Sequence, residues 1–166
     1  MLNQNKSELE LLKDEIMQLK SIVEGYKDII EETSAPFIPS IIPRTFLVPI
    51  AGTLSAERLE TIVDKIVKDS SIPDIDNVIV DVSGISKQHL SGLSMNSFGN
   101  YINKLKQTLT LMGIETYFVG ISPDLAREAS FLEKSFLADL KSFLSFKEAL
   151  KHLMKKEGYV LQRVGK

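Results

Sequence analysis

The sequence predicts an α/β domain, a mixed and mostly parallel sheet covered by helices, preceded by an N-terminal coiled-coil helix. Three observations carry that expectation. Short apolar runs at 45–50, 78–82 and 114–121 alternate with segments of helical periodicity. The run VIVDV at 78–82 is broken only by Asp81, which suits a strand covered on both faces. The first 32 residues contain no proline and one glycine, and their apolar residues recur every three or four positions.

Within residues 1–33, Leu9, Leu12, Ile16, Leu19, Val23, Tyr26 and Ile30 alternate as a and d of a heptad. Continuing backward puts Leu2 at a and Asn5 at d. β-branched Ile16, Val23 and Ile30 at a, with Leu12 and Leu19 at d, favour two parallel strands. Glu8 and Glu15 at g stand five residues before Lys13 and Lys20 at e, where a parallel partner meets them. The alternative is a single amphipathic helix packed on its own domain, helped by Leu11, Met17, Ile22 and Ile29.

TSAPFIPSIIP, residues 33–43, ends this helix, because each proline removes a donor and disfavours helix before it. A globular domain over 34–156 follows. PFIPSII reads as a short edge strand and TFLVPI as a full strand. From Ser55, a plausible N-cap, Leu59, Ile62, Val63, Ile66 and Val67 mark one face of a helix. A second helix is expected from about Leu90 to Met112 on Leu93, Phe98, Ile102, Leu105, Leu109 and Met112. After the strand at 114–121, Ser122 and Pro123 open another helix over SPDLAREASFL. A short strand near Leu140 precedes a last helix, introduced by the capping box Ser145 to Glu148, with Phe146, Ala149, Leu150 and Leu153 inward. Residues 157–166 form a basic tail.

A formal net charge of −2 with interspersed signs gives no broad basic face for nucleic acid. The lack of cysteine removes disulfides, thiolate metal sites and a cysteine nucleophile. No apolar run is long enough to span a membrane and no secretory leader is read after Met1, so a soluble, cytoplasmic product is expected. No metal site, cofactor or catalytic constellation is read; the glycines at 84 and 92 lack the ending of a phosphate loop. In an alternating sheet, ligands and partners meet the loops at the carboxyl ends of the strands. VIVDVSGISKQHLSGLS, residues 78–94, spans one such loop.

SAPFIPSIIPRTFLVPIAGTLSAER, residues 34–58, resembles the entry to the STAS domain of RsbR-type stressosome proteins, with its S-A-P-x-I-P and G-x-L-D-S/T-x-R phrases. VIVDVSGISKQHLSGL is similar to the signature of STAS anti-sigma-factor antagonists, and VGISPDLARE to a later phrase of that family. The resemblance covers about Ser34 to Met154 and implies a STAS fold. It implies a binding and regulatory protein, not an enzyme. It also implies docking to itself, to other STAS subunits and to a switch kinase, altered by phosphate on Ser or Thr at two positions.

Here the sequence departs from that pattern. Leu90 stands at one acceptor position and Ala56 at the other, with His89 and Ser55 in place of the preceding Asp. Neither leucine nor alanine has a hydroxyl. The expected docking residues are Ser55, Arg58, His89, Leu90, Ser91, Gly92 and Leu93. Ser91 is either a displaced acceptor or a helix cap. The segment from Gly92 to Gly113 is longer than in RsbR-type proteins. Three functional readings result: a phosphorylation-insensitive scaffold or regulatory subunit of a stressosome-like complex; an anti-sigma-factor antagonist switched at Ser91; or a ligand-binding accessory domain using the helix start at Ser122.

Overall fold

In the computed structural model the described residues are 2–72, 74–131 and 139–160, with the side chains of 2–6 and 31 left aside. The expected seam positions Leu2 and Asn5, the helix residue Leu132 and most of the basic tail therefore lie outside the described side chains. The chain divides into two compact units, Met1–Ser34 and Ala35–Lys166.

The first unit is one helix, α1 (Leu2–Thr33). All seven seam residues from Leu9 to Ile30 are more than half exposed, as are Leu11, Met17, Ile22 and Ile29. A helix this long with eleven large apolar residues in water is not stabilised by its own backbone propensity alone.

In the second unit the elements are β1 (Ile38–Pro39), β2 (Thr45–Ala51), α2 (Ala56–Asp69), β3 (Asn77–Gly84), a 3-10 turn (Lys87–His89), α3 (Met95–Leu111), β4 (Glu115–Val119), α4 (Pro123–Ser130), β5 (Lys141–Phe143) and α5 (Phe146–Glu157). The sheet order is β1-β2-β3-β4-β5. β1 runs antiparallel to β2, with Ile38 opposite Leu47, and the other three pairings are parallel. The expected mixed, mostly parallel sheet is what forms.

β3 is the central strand, and Asn77 to Val80 are all buried. Successive side chains face opposite ways. Val78, Val80 and Val82 join Leu59, Ile62 and Ile66 of α2, Phe98, Ile102, Leu105 and Leu109 of α3, and Leu125 and Ala129 of α4 in the larger core. Ile79 faces the other side, with Tyr117 and Val119 of β4 and Ala149 and Leu153 of α5. Where β2 and β3 begin, Asn77 Nδ2 donates to Thr45 Oγ1 at 3.2 Å, a buried pair that fixes their register.

Two expected details differ. The capping box before α5 is half made: Ser145 Oγ accepts from the Glu148 N–H, but the Glu148 carboxylate takes Lys151 Nζ at 2.8 Å. Met112 is not inward. It ends α3 with its backbone N–H bonded to Thr108 and Leu109 carbonyls and its side chain partly in solvent.

At the amino end of β4, Glu115 gathers three donors: Lys156 Nζ at 2.7 Å, the Tyr117 hydroxyl at 2.5 Å and Lys141 Nζ at 2.9 Å. The Lys156 bond, then those of Tyr117 and Lys141, hold its carboxyl down at about 2. Burial, then the bond to Glu115, pushes the Tyr117 hydroxyl upward. This knot ties β4 to β5 and α5.

Two outcomes are expected. Leu105→Ala, at a fully buried position, lowers unfolding free energy by about 2–5 kcal/mol in urea titration. Because the Glu115 pKa is depressed on folding, its contribution is complete above about 4.5 and falls away as pH drops toward about 2. More than a third of that side chain faces solvent, so the contribution is at most about 1 kcal/mol. Glu115→Gln should flatten that part of the stability–pH curve; an unchanged acid limb would refute the assignment.

Candidate functional site: the loops at the carboxyl ends of the strands

The loop after β2 turns at Gly52, whose φ of +84° favours glycine. Arg58, on the first turn of α2, reaches back over this loop. Its Nη1 donates to the Thr53 carbonyl at 2.7 Å and its Nη2 to the Ala51 carbonyl at 2.9 Å. Ser55 caps α2, its Oγ accepting from the Arg58 N–H at 3.2 Å. One residue thus closes the loop twice, through its backbone and through its guanidinium.

The loop after β3 begins inside the strand. Asp81 Oδ1 accepts from the Ser83 N–H at 2.9 Å. A register slip between Pro49 and Ala51 brings Ala51 opposite Gly84. A Cβ at Gly84 would stand 3.1 Å from the Ala51 Cβ, so the absence of a side chain there eases a close approach of the two strands. In the 3-10 turn that follows, His89 Nδ1 accepts from the Ser86 N–H at 3.0 Å and lies 2.8 Å from Ser86 Oγ.

The two loops are joined by main chain. Leu54 and Leu90 form an isolated parallel bridge. The Leu54 N–H donates to the His89 carbonyl at 2.6 Å, and the Ser91 N–H to the Leu54 carbonyl at 2.9 Å. Leu54 is buried and Leu90 packs partly buried against the larger core. The structure therefore brings Ser55, Ala56 and Arg58 beside His89, Leu90, Ser91 and Gly92. Ala56, Ser91 and Gly92 are exposed; Ser55, Arg58, His89 and Leu90 are half-buried.

Two expectations fail here. The helix expected from Leu90 starts at Met95, because Leu90 is engaged in the bridge and Gly92 has a φ of +66°. Its cap is consequently Ser94, whose Oγ accepts from the Ser97 N–H at 3.1 Å, and not Ser91. Leu93 is in the core, 9% exposed, and its side chain offers no surface to a partner.

The third loop follows β4. At Gly120, φ is +73° and a Cβ would fall 2.5 Å from the Ser83 Cβ and 2.8 Å from its Cα. Ser122 caps α4, with Pro123 at its first position. Asp124 occupies the first turn of α4, a negative charge where a bound anion would sit, which argues against the anion site expected at Ser122. Lys87 Nζ meets Glu128 Oε1 at 2.6 Å and links the second loop to α4.

Sequence reasoning missed Leu54, the bracing role of Arg58 and the contact of Gly120 with Ser83. Of these, only Gly120 carried a readable signal, as a glycine punctuating the end of a strand. Among the described residues no cluster of His, Asp or Glu could hold a metal ion, and no helix is long and apolar enough to cross a membrane.

A mostly parallel sheet with helices on both faces, whose first two strand-end loops are joined by main chain, defines a small α/β domain. The STAS domain family profile matches residues 36–149, and the chain belongs to that family. It is similar to the RsbT co-antagonist protein RsbRD of Bacillus subtilis, 28% identical over 151 residues, which are 90% of this chain and 51% of RsbRD. RsbRB of the same organism is 25% identical over 113 residues, 68% of this chain and 38% of RsbRB. The chain thus spans about half, or less, of the length of these relatives. Among solved structures, a variant of Moorella thermoacetica RsbS shares the fold, with a TM-score of 0.58 and 14% identity over 75% of this chain and 97% of that one.

Arg58→Met keeps the aliphatic stem and removes both carbonyl braces. It is expected to cost about 1–2 kcal/mol and to speed amide exchange at 52–54; exchange at the wild-type rate would show that the guanidinium does not hold the loop. Gly120→Ala combines a positive φ with a backbone clash, and should cost more than about 2 kcal/mol in thermal or urea unfolding.

Proposed function

We propose that the chain is a non-catalytic STAS subunit of a stressosome-like complex regulating a stress sigma-factor pathway, and that phosphate at the two usual acceptor positions does not switch it. The observation that carries this reading is the bridge between Leu54 and Leu90. It holds both loops in a defined contour through backbone bonds, while Ala56 and Leu90 stand where the resemblance calls for hydroxyls. Phosphate would add about −1.5 to −2 charges at such a surface, and these two side chains cannot accept it. Similarity to two RsbT co-antagonists supports the pathway.

In this reading a partner docks on Ser55, Arg58, His89, Leu90, Ser91 and Gly92. The partners are further copies of the chain, other STAS subunits and a switch kinase. The organisation is that of a dimerising helix over 1–33, a STAS domain over 34–156 and a basic tail over 157–166. Two α1 helices pair in parallel through Leu9, Leu12, Ile16, Leu19, Val23, Tyr26 and Ile30, with Glu8 and Glu15 facing Lys13 and Lys20 of the partner. The exposure of these seven seam residues supports this pairing.

A second reading places the switch at Ser91, which is exposed and one residue beyond Leu90. Incubation with a STAS-directed serine kinase and ATP separates the two, with Leu90→Ser as the hydroxyl-bearing control. No incorporation is expected into the wild-type chain and measurable incorporation into the control. Phosphate mapped to Ser91 of the wild type would replace the first reading with the second.

A further inference from the structure

The apolar surface of α1 extends beyond its a and d seam. At about 100° per residue, Leu9, Leu12, Ile16 and Leu19 fall within an arc of about 80°, the seam of a two-stranded coil, with Leu11 at c and Met17 at b outside it. From residue 22 onward, Ile22, Val23, Tyr26, Ile29 and Ile30 spread over about 120°. The broadening comes from Ile22 and Ile29, which take the g positions that Glu8 and Glu15 hold in the first half. All five are more than half exposed. A stripe of that width is typical of a helix buried in a bundle; a parallel pair buries its a and d residues and leaves the g positions at the edge of the seam, with part of their surface open.

The flank carrying the extra residues is uncharged. Between Glu15 and Glu32, its c and g positions are Gln18, Ile22, Gly25 and Ile29. Gly25 lies mid-helix, where glycine costs about 1 kcal/mol relative to alanine. A Cβ there would meet nothing within 4 Å, so no crowding within the single chain requires it. Placed between Ile22 and Ile29, the bare backbone is a gap between two knobs. Such a strip is complementary to itself: an isoleucine from another copy fits over the glycine, and the glycine admits close approach of the helices.

We propose that this strip, residues 18–29, is where two α1 dimers join, giving a four-helix assembly of this chain. The proposal rests on the parallel pairing proposed above. The occupant is a second dimer of the same chain, because every copy presents the same knobs and gap, continuous with the seam. A strongly charged partner helix finds no counter-charge on this flank.

Sedimentation equilibrium on the full chain across a wide concentration range tests it. The wild type is expected as a tetramer, and Ile22→Glu with Ile29→Glu as a dimer of unchanged helix content by circular dichroism. Gly25→Ala, which improves intrinsic helix propensity, should raise the dimer–tetramer midpoint concentration about tenfold by overfilling the gap. A dimer at every concentration, a tetramer indifferent to the paired glutamates, or a tetramer tightened by Gly25→Ala overturns the proposal and leaves the pairing standing. A monomeric wild type overturns the pairing itself, and with it the tetramer.

Discussion

The second unit depends on β3 being enclosed from every side. Parallel neighbours take its backbone groups on both edges, and two helical layers cover its faces. A strand so enclosed exchanges every lateral contact with water for contacts with protein, which is why nearly every residue from Val78 to Val82 is apolar. It also leaves the strand one direction in which to meet solvent, along its axis. The polar residues that follow Val82 emerge at the end of the sheet where β2 and β4 also end, and the position of the candidate surface follows from that confinement.

At this end the chain is held mainly by groups that do not depend on side-chain identity. The join of the first two loops uses the amides and carbonyls of Leu54, His89 and Ser91. Side chains reinforce it from outside: Arg58 grips the first loop, His89 accepts within the second and Lys87 reaches α4. Glycine at 120 lets the third loop come closer to Ser83 than any side chain allows, and glycine at 84 eases the approach of β2 to β3. Rigid backbone with exposed, replaceable side chains is a sound basis for a binding surface, since little order has to be acquired on contact.

Much of this fold was legible from local chemistry. The valines and isoleucines at 78–82, the serines at 55, 122 and 145 before amphipathic runs, and Pro123 at a first helical position each specify an element without reference to the rest. The start of α3 was not legible. Leu90 and Leu93 fit the helical period, but Leu90 is drawn into a bridge with a residue 36 positions earlier, a non-local contact with no periodic signature. The same limit hid Arg58, because a guanidinium bound to carbonyls and one free in water look alike in a sequence. Burial of Leu93 has a related cause: the segment between the bridge and Ser94 is pinned at both ends, and its apolar side chain turns into the core. The acceptor positions Ala56 and Leu90 were visible only through family resemblance, since nothing in their own chemistry marks them.

The main-chain join has an evolutionary consequence. Because the bonds between the loops belong to the backbone, a change of residue at 90 between leucine and a hydroxyl amino acid leaves the ladder in place. The cost is confined to the packing of one half-buried side chain. A duplicated copy of such a chain can therefore lose or regain a modifiable residue in a few nucleotide changes without first inventing a new shape. Responsive and silent versions would keep the same outline and remain interchangeable in whatever array they enter, so the strength of a response could be set by the ratio of the two.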